Sequence, residues 1–369
     1  MSGARLKDLP FAAAATAKET LPASWYGDPA VWALERRAIF ARSWQFFGHE
    51  SALGDVGCWV ARIIGGYPLF VLRDDQGRLQ GFHDVCRHRA GPLTQAESGH
   101  WDGDIVCRYH GWRYAYDGRL KAARDFGPAT DFDVREFALF PIKVQTWRGL
   151  VFVALAGDPG ALATCTAPLE ARLAGVDWSD LCVALTRSHT LACNWKTYVE
   201  NYLEGYHVPM VHPGLDAEID SSRYAVRVEG KVVLHEAPLR SGKAVYGGLW
   251  AWLWPNLGVN VYGRGLMLEC ISPQGPAVTR LDYIYLMPRG EVVDAVTLAM
   301  SDQVTAEDIA IVERVQENLQ AGVYQTGRLS PRHEGAVSAF QTMVRDVLSR
   351  RFSKGAAREG KCAPPPDRR

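Results

Sequence analysis

The sequence has little charge of one sign, few cysteines and no long apolar run. Its 369 residues contain 41 Lys and Arg and 41 Asp and Glu, so the formal charges cancel. A chain without net charge has no general attraction for nucleic acid or anionic lipid, and we expect neither as a partner. No run approaches the roughly 20 apolar residues of a membrane-spanning helix, so we expect no membrane insertion. Small molecules are the partners that this composition favours.

The first residues also lack the strongly apolar stretch of a secretory signal. Alanines are present, but the charged Lys18 and Glu19 follow without such a stretch, so we expect a cytoplasmic protein. The eight cysteines are spread over the chain without the density of a disulfide framework, and cytoplasmic thiols stay reduced. Cysteines in a recognisable pattern are therefore expected to be thiolate ligands.

The pattern of apolar residues predicts an α+β fold in four parts. Short apolar runs between turn sequences predict antiparallel strands in the first half, whereas the second half mixes strands with helices. The predicted parts are a helical N-terminal segment at 1–43, a first domain at 44–157, a second domain at 158–355 and a proline-rich, disordered tail at 356–369.

Two helices have recognisable end signals. Asp28 is predicted as an N-cap, with Pro29 at the first helical position. In the second half, Thr305 is predicted as the N-cap of a helix that ends just before Gly322.

Two similar segments, CRHRAGPL and CRYHGWRY, carry the chemistry of the first domain. Each places a cysteine close to a histidine, Cys86 with His88 and Cys107 with His110, and eighteen residues separate the pairs. Loops at these positions would let the four side chains converge. Two Cys and two His can complete a tetrahedral zinc site. One ligand of each kind from each loop, however, suits a two-iron cluster in which the cysteines bind one iron and the histidines the other.

The C-x-H and C-x-x-H pattern, with a glycine after each pair, resembles the Rieske 2Fe-2S motif. The resemblance implies that Cys86 and Cys107 bind the outer iron and that His88 and His110 bind the inner iron. Histidine ligands raise the reduction potential above that of an all-cysteine cluster, so such a centre accepts electrons from an ordinary reductase chain.

The second half contains a further pair of histidines in NYLEGYHVPMVHPGL. His207 and His212 are five residues apart, and a continuous helix would turn them about 140° away from each other. Pro209 and Pro213 are expected to break the helix there, so that both imidazoles can turn toward one metal. Glu204, three residues before His207, can accept an imidazole N–H and orient that ring.

Two histidines need one carboxylate to form the facial triad that binds Fe(II) and leaves positions open for oxygen. Asp308 is the candidate, because the helical pattern places it on an apolar face, where an unpaired carboxylate is costly. The apolar residues of that face are Ile311, Val312, Val315 and Leu319. Two alternatives stay open. Asp308 lies three residues after Thr305 and would then help to cap the helix, and Glu307 is the second candidate ligand.

From about Trp44 to Gln325, these motifs in this order resemble the alpha subunits of Rieske non-haem iron oxygenases. The resemblance implies a Rieske domain of antiparallel sheets, followed by a helix-grip (START-like) catalytic domain with a central antiparallel sheet. It also implies one 2Fe-2S cluster and one mononuclear Fe(II) per chain, with the Fe(II) held by His207, His212 and Asp308.

The resemblance gives roles to two further residues. Glu204 occupies the position of the carboxylate that links the two metal centres, and Asn201 that of an amide near the iron. In the family the linked histidine comes from the adjacent subunit, so a homotrimer is implied, with one oxygen of Glu204 free for His110 of a neighbouring copy. Many aromatic dioxygenases have Asp at this position, whereas Glu is familiar from choline, glycine betaine and carnitine oxygenases.

The implied activity is that of a terminal oxygenase component. It takes electrons from a separate NAD(P)H-dependent reductase of the flavin or ferredoxin type and uses O2 to hydroxylate or oxidatively demethylate a small organic substrate. That substrate is either an aromatic compound, as in ring hydroxylation, or a quaternary ammonium compound. The chain has no convincing G-x-G-x-x-G segment, which places the nicotinamide and the flavin on the partner.

Two other classes of protein remain as alternatives. A Rieske electron-transfer protein without oxygenase activity would need only the cluster, and the His207, His212 and Asp308 set argues against it. A zinc-binding structural protein would use the Cys/His loops alone.

An aromatic cluster in the second half is a candidate substrate pocket. Alternation predicts that Trp250, Trp252 and Trp254 share one face of a strand. With Tyr262 and Tyr206 they would form an aromatic cage or slot for the substrate, or else a tryptophan-rich core under the sheet.

Overall fold

The computed structural model describes residues 19–175, 178–240, 245–262 and 264–359. Its α-helices are α1 (Pro29–Glu35), α2 (Leu162–Arg172), α3 (Trp195–Tyr202), α4 (Val208–Val211), α5 (Pro213–Glu218), α6 (Ala295–Gln320) and α7 (Gly335–Glu359). No helix in the described ranges is long and apolar enough to cross a membrane.

The strands of the first half are β1 (Gln45–His49), β2 (Cys58–Ile64), β3 (Tyr67–Arg73), β4 (Leu79–His83), β5 (Ser98–His100), β6 (Ile105–Val106), β7 (Arg113–Tyr114), β8 (Leu120–Ala122), β9 (Pro141–Trp147) and β10 (Leu150–Ala154). Seven of them form a sheet in the order β1-β10-β9-β4-β3-β2-β5, and β6-β7-β8 form a smaller sheet. The paired strands are antiparallel. The segment CRHRAG follows β4, and CRYHGW connects β6 to β7.

The strands of the second half are β11 (Leu181–Leu191), β12 (Ala225–Glu229), β13 (Val232–Glu236), β14 (Tyr246–Leu253), β15 (Leu257–Tyr262), β16 (Leu266–Gly275) and β17 (Val278–Pro288). They form one antiparallel sheet in the order β11-β17-β16-β15-β14-β13-β12. The predicted α+β class with antiparallel sheets is therefore confirmed.

This second sheet separates two apolar cores, because alternate residues of a strand point to opposite faces. On β16, Met267 and Ile271 join the core that contains Trp195 of α3 and Phe340 of α7. Leu266 and Leu268 join the other core, to which α2 and β10 contribute. Helices α3, α6 and α7 thus lie over one face together with the N-terminal segment, whereas α2 and β10 pack near the other.

One of the two predicted helix starts is confirmed and the other was wrong. The Asp28 side chain accepts the backbone N–H of Ala30 at the start of α1, as predicted. Helix α6, however, begins ten residues before Thr305, at Ala295, where Asp294 is the N-cap. Thr305 as an N-cap was therefore wrong, and its hydroxyl instead donates to the carbonyl of Ser301 one turn back.

The C-terminal ends agree better with the sequence. Gly322 follows the C-cap of α6 and has a φ of 80°, a left-handed conformation that glycine adopts at no steric cost. Helix α7 runs to Glu359 and so includes the first residues of the predicted tail. Residues 360–369 of that tail lie outside the described ranges, as do residues 1–18 of the N-terminal segment.

A buried ion pair fastens the N-terminal segment to α3. The Nζ atom of Lys196 lies 2.6 Å from a carboxylate oxygen of Glu35, and both side chains are fully buried. Lys196 also donates to the carbonyl of Trp25 and to the side-chain oxygen of Asn194, while the indole N–H of Trp195 donates to the second oxygen of Glu35. Each of the three N–H groups of Lys196 therefore has an acceptor, and each oxygen of Glu35 has a donor.

Because of these contacts, we expect Lys196→Met to lower the free energy of unfolding by about 3–5 kcal/mol, since Glu35 would stay buried without its partner. Lys121→Met is the matched control, because Lys121 pairs with Asp104 at the surface, and such pairs contribute about 1 kcal/mol or less. Urea unfolding followed by circular dichroism measures both. Equal unfolding midpoints for the two variants would contradict the prediction.

Candidate metal centres and the adjoining cavity

The two Cys/His loops come together at the edge of the first sheet. The Nδ1 atoms of His88 and His110 lie 3.1 Å apart. Cys86 and Cys107 are buried and form no disulfide, whereas both histidines are only partly buried. The loops are tight, with the backbone N–H of Cys86 donating to the carbonyl of Gly91. The four predicted ligands thus form one site with a buried cysteine side and a more exposed histidine side.

The chemistry of this site fits a cation. Burial raises the pKa of the Cys86 thiol, although a hydrogen bond from the Tyr114 hydroxyl lowers it. A buried thiolate is therefore costly here unless a metal is bound. The indole of Trp112 stacks on His88, with ring centroids 4.9 Å apart. A side chain on Gly91 would approach the sulfur of Cys107 to 3.2 Å, so glycine leaves the space beside the thiol open.

The spread of these ligand atoms distinguishes one metal ion from two. Within the described ranges, one group of three or more His, Cys, Asp or Glu ligand atoms lies within 4.8 Å of one another, and it does not contain the Cys/His loops. A tetrahedral zinc site draws its ligands to about 2.0–2.3 Å from one ion. The wider arrangement of the loops fits a two-iron cluster better.

That compact group is His207, His212 and Asp308. The Nε2 atom of His212 lies 3.0 Å from a carboxylate oxygen of Asp308, and the Nε2 atom of His207 lies 3.9 Å from the same oxygen. Two imidazoles and one carboxylate at this separation match the donor set of a facial triad for Fe(II).

The prolines act as predicted between these histidines. Helix α3 ends at Tyr202, and two short helices follow, α4 with Pro209 in its first turn and α5 with Pro213 at its first position. Proline is tolerated at such positions because the first N–H groups of a helix have no partner within the helix. The new helix starts rotate the chain between His207 and His212, so that both rings face one point.

Two carboxylates orient these imidazoles. The Nδ1 atom of His207 lies 2.6 Å from Glu204, and that of His212 lies 2.7 Å from Glu307. Although burial lowers the pKa of His212, the hydrogen bonds and charges of Asp308 and Glu307 raise it above its ordinary value. Each Nε2 atom is consequently left to face Asp308. Glu307, the second candidate ligand, lies on the opposite side of the His212 ring from Asp308.

The remaining predicted residues also lie at this centre. Asn201 donates from its amide nitrogen to Asp308 at 2.6 Å. The second oxygen of Glu204 accepts the backbone N–H groups of Tyr206 and His207. The expectation that this oxygen is free was therefore wrong. A carboxylate oxygen accepts about two hydrogen bonds. The acceptor site that remains on Glu204 is therefore on the oxygen that contacts the His207 ring.

The face of α6 that carries Asp308 is apolar only in part. Val312 is buried and Leu319 packs against the core, as expected, whereas Ile311 and Val315 are each 39% exposed. The buried positions of the helix are largely polar: Thr297, Ser301, Thr305, Asp308, Val312 and Gln316. Asp308 is buried because the helix lies against α3 and the histidine segment, and since α6 begins at Ala295, capping of its N-terminus by Asp308 is excluded.

A cavity adjoins the triad on the helix side of the second sheet. It is lined by the following described residues: Tyr198, Asn201, Tyr202, Glu204, His207, Val208, His212, Leu215, Tyr224, His235, Trp250, Asn260, Met267, Glu269, Tyr283, Ser301, Val304, Thr305 and Asp308. These include neither lysine nor arginine. Burial lowers the pKa of His235 to about 3, so its ring is neutral.

Trp250, Trp252 and Trp254 all join the apolar core on the helix side of the sheet, as the second interpretation of these residues predicted. Of the three, Trp250 also lines the cavity, whereas Trp252 and Trp254 pack on Phe340 within the core. Tyr206 is 58% exposed and stacks on a histidine outside the cavity. Tyr262 lines a different depression.

The other aromatic walls come from Tyr198 and Tyr202 on α3, Tyr224 before β12 and Tyr283 on β17. Sequence reasoning did not single these tyrosines out. The two on α3 carried a signal, because they are four residues apart and thus share a helix face.

Comparisons with known proteins agree with this architecture. Residues 43–139 match the family described as the Rieske [2Fe-2S] domain, and residues 179–350 match the ring hydroxylating alpha subunit (catalytic domain). A chloroplastic choline monooxygenase of Arabidopsis thaliana is 30% identical over 333 residues, which cover 84% of this chain and 78% of that protein. The carnitine monooxygenase oxygenase subunit of Escherichia coli K12 is 28% identical over 342 residues, with 86% and 89% covered.

A solved structure is similar over nearly the whole chain. It is a quaternary ammonium Rieske monooxygenase in complex with an inhibitor, with a TM-score of 0.81, 26% identity, and coverage of 89% of this chain and 95% of that one. The presence of both domains argues against a zinc-binding structural protein and against a Rieske carrier that has only the cluster. The chain belongs to the Rieske oxygenases, and it is an oxygenase alpha subunit with one Rieske 2Fe-2S cluster and one mononuclear iron.

Proposed function

We propose that this oxygenase acts on a quaternary ammonium compound and that His207, His212 and Asp308 hold its mononuclear iron. The observation that carries the substrate class is the cavity beside the triad. Its described walls combine four tyrosines and a tryptophan with carboxylates, and they contain no lysine or arginine. Aromatic faces attract a desolvated organic cation, and the described walls contain no lysine or arginine side chain that would repel one.

The relatives support the same class of substrate. Their names state that they act on choline or carnitine, and the similar solved structure is described as a quaternary ammonium monooxygenase. A neutral aromatic substrate is the second candidate, because the aromatic side chains of the cavity walls would also pack against a flat ring.

The residues around the iron site have separable tasks in this proposal. When bound, the cluster supplies one-electron transfer and the mononuclear iron supplies oxygen activation. Glu204 and Glu307 hold the imidazoles of His207 and His212, and the amide of Asn201 holds the Asp308 carboxylate. The aromatic walls position the substrate beside the triad and exclude water.

Electrons enter at the other centre, from the separate reductase with which this family works. We assign Cys86 and Cys107 to the iron on the buried side of the cluster and His88 and His110 to the iron on its more exposed side, which reverses the outer and inner positions expected from the resemblance. The partly exposed histidine side supports contact with another copy of the chain, and the remaining acceptor site on Glu204 is suited to an imidazole N–H. We therefore propose a homotrimer, located in the cytoplasm, in which His110 of one copy approaches Glu204 of the next.

A substrate panel tests the proposed class directly. We expect choline, glycine betaine or carnitine to give product together with stoichiometric consumption of NAD(P)H and O2 in the presence of a compatible reductase. Naphthalene and toluene are expected to give little or no product, because they lack the positive charge. Product yield per O2 consumed is the measurement, and efficient coupling with the neutral aromatics alone would contradict the proposal.

Mixed trimers test the route between the copies. Glu204→Ala and His110→Ala are each expected to abolish coupled turnover, the first with both metal centres filled and the second without electron delivery. In random mixed trimers, about a quarter of the junctions pair an intact donor with an intact acceptor, so about a quarter of the wild-type activity should return.

Each variant assembled alone is the control for this experiment. If electrons instead passed within one chain, the mixture would stay inactive, since neither variant retains both residues. Normal turnover by Glu204→Ala alone would exclude the linking role of this carboxylate.

A further inference from the structure

Glu269 is a buried carboxylate in the cavity wall that has no part in holding the metal. Glu269 lies on β16, on the same face as Met267 and Ile271, and it is 4% exposed. The pKa of its carboxyl is raised to about 7: burial and the negative charge of Asp308 raise it, and hydrogen bonds from neighbours offset part of this increase. A carboxylate in such a place is costly without a positive partner.

The hydrogen bonds around Glu269 are nevertheless arranged for the ionised form. The Tyr198 hydroxyl donates to one oxygen at 2.6 Å, and the Asn260 amide nitrogen donates to the other at 3.2 Å. The amide oxygen of Asn260 lies 3.0 Å from the Tyr202 hydroxyl, whose single hydrogen is shared with the carbonyl of Ala251. Both carboxylate oxygens are thus held as acceptors.

The other carboxylates of the cavity already have a partner. Glu204 contacts the ring of His207, and Asp308 is a ligand of the iron in the proposed function. Glu269 has none among the described residues that line the cavity, since these contain no lysine or arginine and the buried His235 is neutral. One negative charge in the wall therefore remains to be balanced.

A quaternary ammonium group is suited to balance it. Such a group has no N–H and needs no free lone pair, so the hydrogen bonds from Tyr198 and Asn260 do not compete with it. It interacts through charge and through contact with aromatic faces. Tyr198, Tyr202 and Tyr283 line the cavity together with Glu269.

We propose that Glu269 is the counter-charge that binds the cationic head of the substrate. This inference rests on the proposed quaternary ammonium class and names the residue that selects for it. It also sets a preference within the class. A zwitterion such as glycine betaine would bring a carboxylate into described walls without a basic residue, so a singly charged cation such as choline is expected to bind more tightly.

Isothermal titration calorimetry of the holoenzyme with two probes tests this role. The probes are choline and 3,3-dimethylbutan-1-ol, which has the same shape but carbon in place of the charged nitrogen. Glu269→Gln is expected to weaken choline binding at least tenfold, about 1.4 kcal/mol, and to change binding of the neutral probe less than twofold. Wild-type protein is also expected to bind choline more tightly than glycine betaine.

Glu200→Gln is the matched control. Glu200 is another buried carboxyl whose pKa is raised to about 7 by burial, and it contacts Tyr26 and Gln341 away from the cavity walls. The same chemical change at Glu200 is expected to leave the binding of both probes unchanged. Glu269→Asp, which keeps the charge, is expected to retain the preference for choline and guards against a loss caused by misfolding of the glutamine variant.

The outcomes separate this inference from the proposed substrate class. Choline binding that is undiminished in Glu269→Gln, or lost equally with that of the neutral probe, would overturn the role of Glu269 alone. Tighter wild-type binding of glycine betaine than of choline would also count against it. Wild-type protein that binds the neutral probe as tightly as choline would overturn the substrate class itself.

Discussion

The catalytic half depends on two short contacts, in which Glu204 and Glu307 each hold the Nδ1 side of an imidazole. A metal-binding histidine whose other nitrogen donates to a carboxylate has a fixed tautomer and a fixed ring orientation. Here the two contacts leave the Nε2 atoms of His207 and His212 within 4 Å of one oxygen of Asp308. The remaining features of the site, from the prolines to the polar face of α6, position these three side chains.

The surrounding fold makes this arrangement rigid. Helix α6 lies against α3 and presents a polar stripe toward the sheet, while the cavity walls come from alternate residues of central strands. The cost of placing carboxylates there is offset by specific partners: an imidazole for Glu204 and, in the proposed function, iron for Asp308. For Glu269, we propose that this partner is the cationic head of the substrate. Charge balance thus joins the metal site to the choice of substrate.

Much of the site could be predicted from sequence, because its ligands stand in short motifs. The Cys/His pairs depend on local loops, and the separation of His207 from His212 makes sense only if prolines restart the helix between them. Asp308 was identified through the cost of an unpaired carboxylate on the inner face of a helix, although most of the buried residues of that helix proved to be polar.

Other features depend on contacts between distant segments. Thr305 followed by Asp308 looks locally like a helix start, yet packing against the sheet extends α6 back to Ala295. The role of Glu307 was missed because a helix pattern does not show which side of an imidazole lies on a given carboxylate. Glu269 stands in an apolar strand, and only the assembled sheet brings it next to Tyr198 and Asn260.

Anomalous diffraction at the iron edge, from crystals of the holoenzyme, shows directly which side chains bind the metals. We expect a pair of iron peaks between the Cys/His loops. We also expect a single peak bound by the Nε2 atoms of His207 and His212 and by the carboxylate of Asp308. Glu204 and Glu307 are expected to remain on the Nδ1 sides of the rings, away from the metal. A mononuclear iron peak bound by Glu307, or no peak beside Asp308, would contradict this assignment of the ligands.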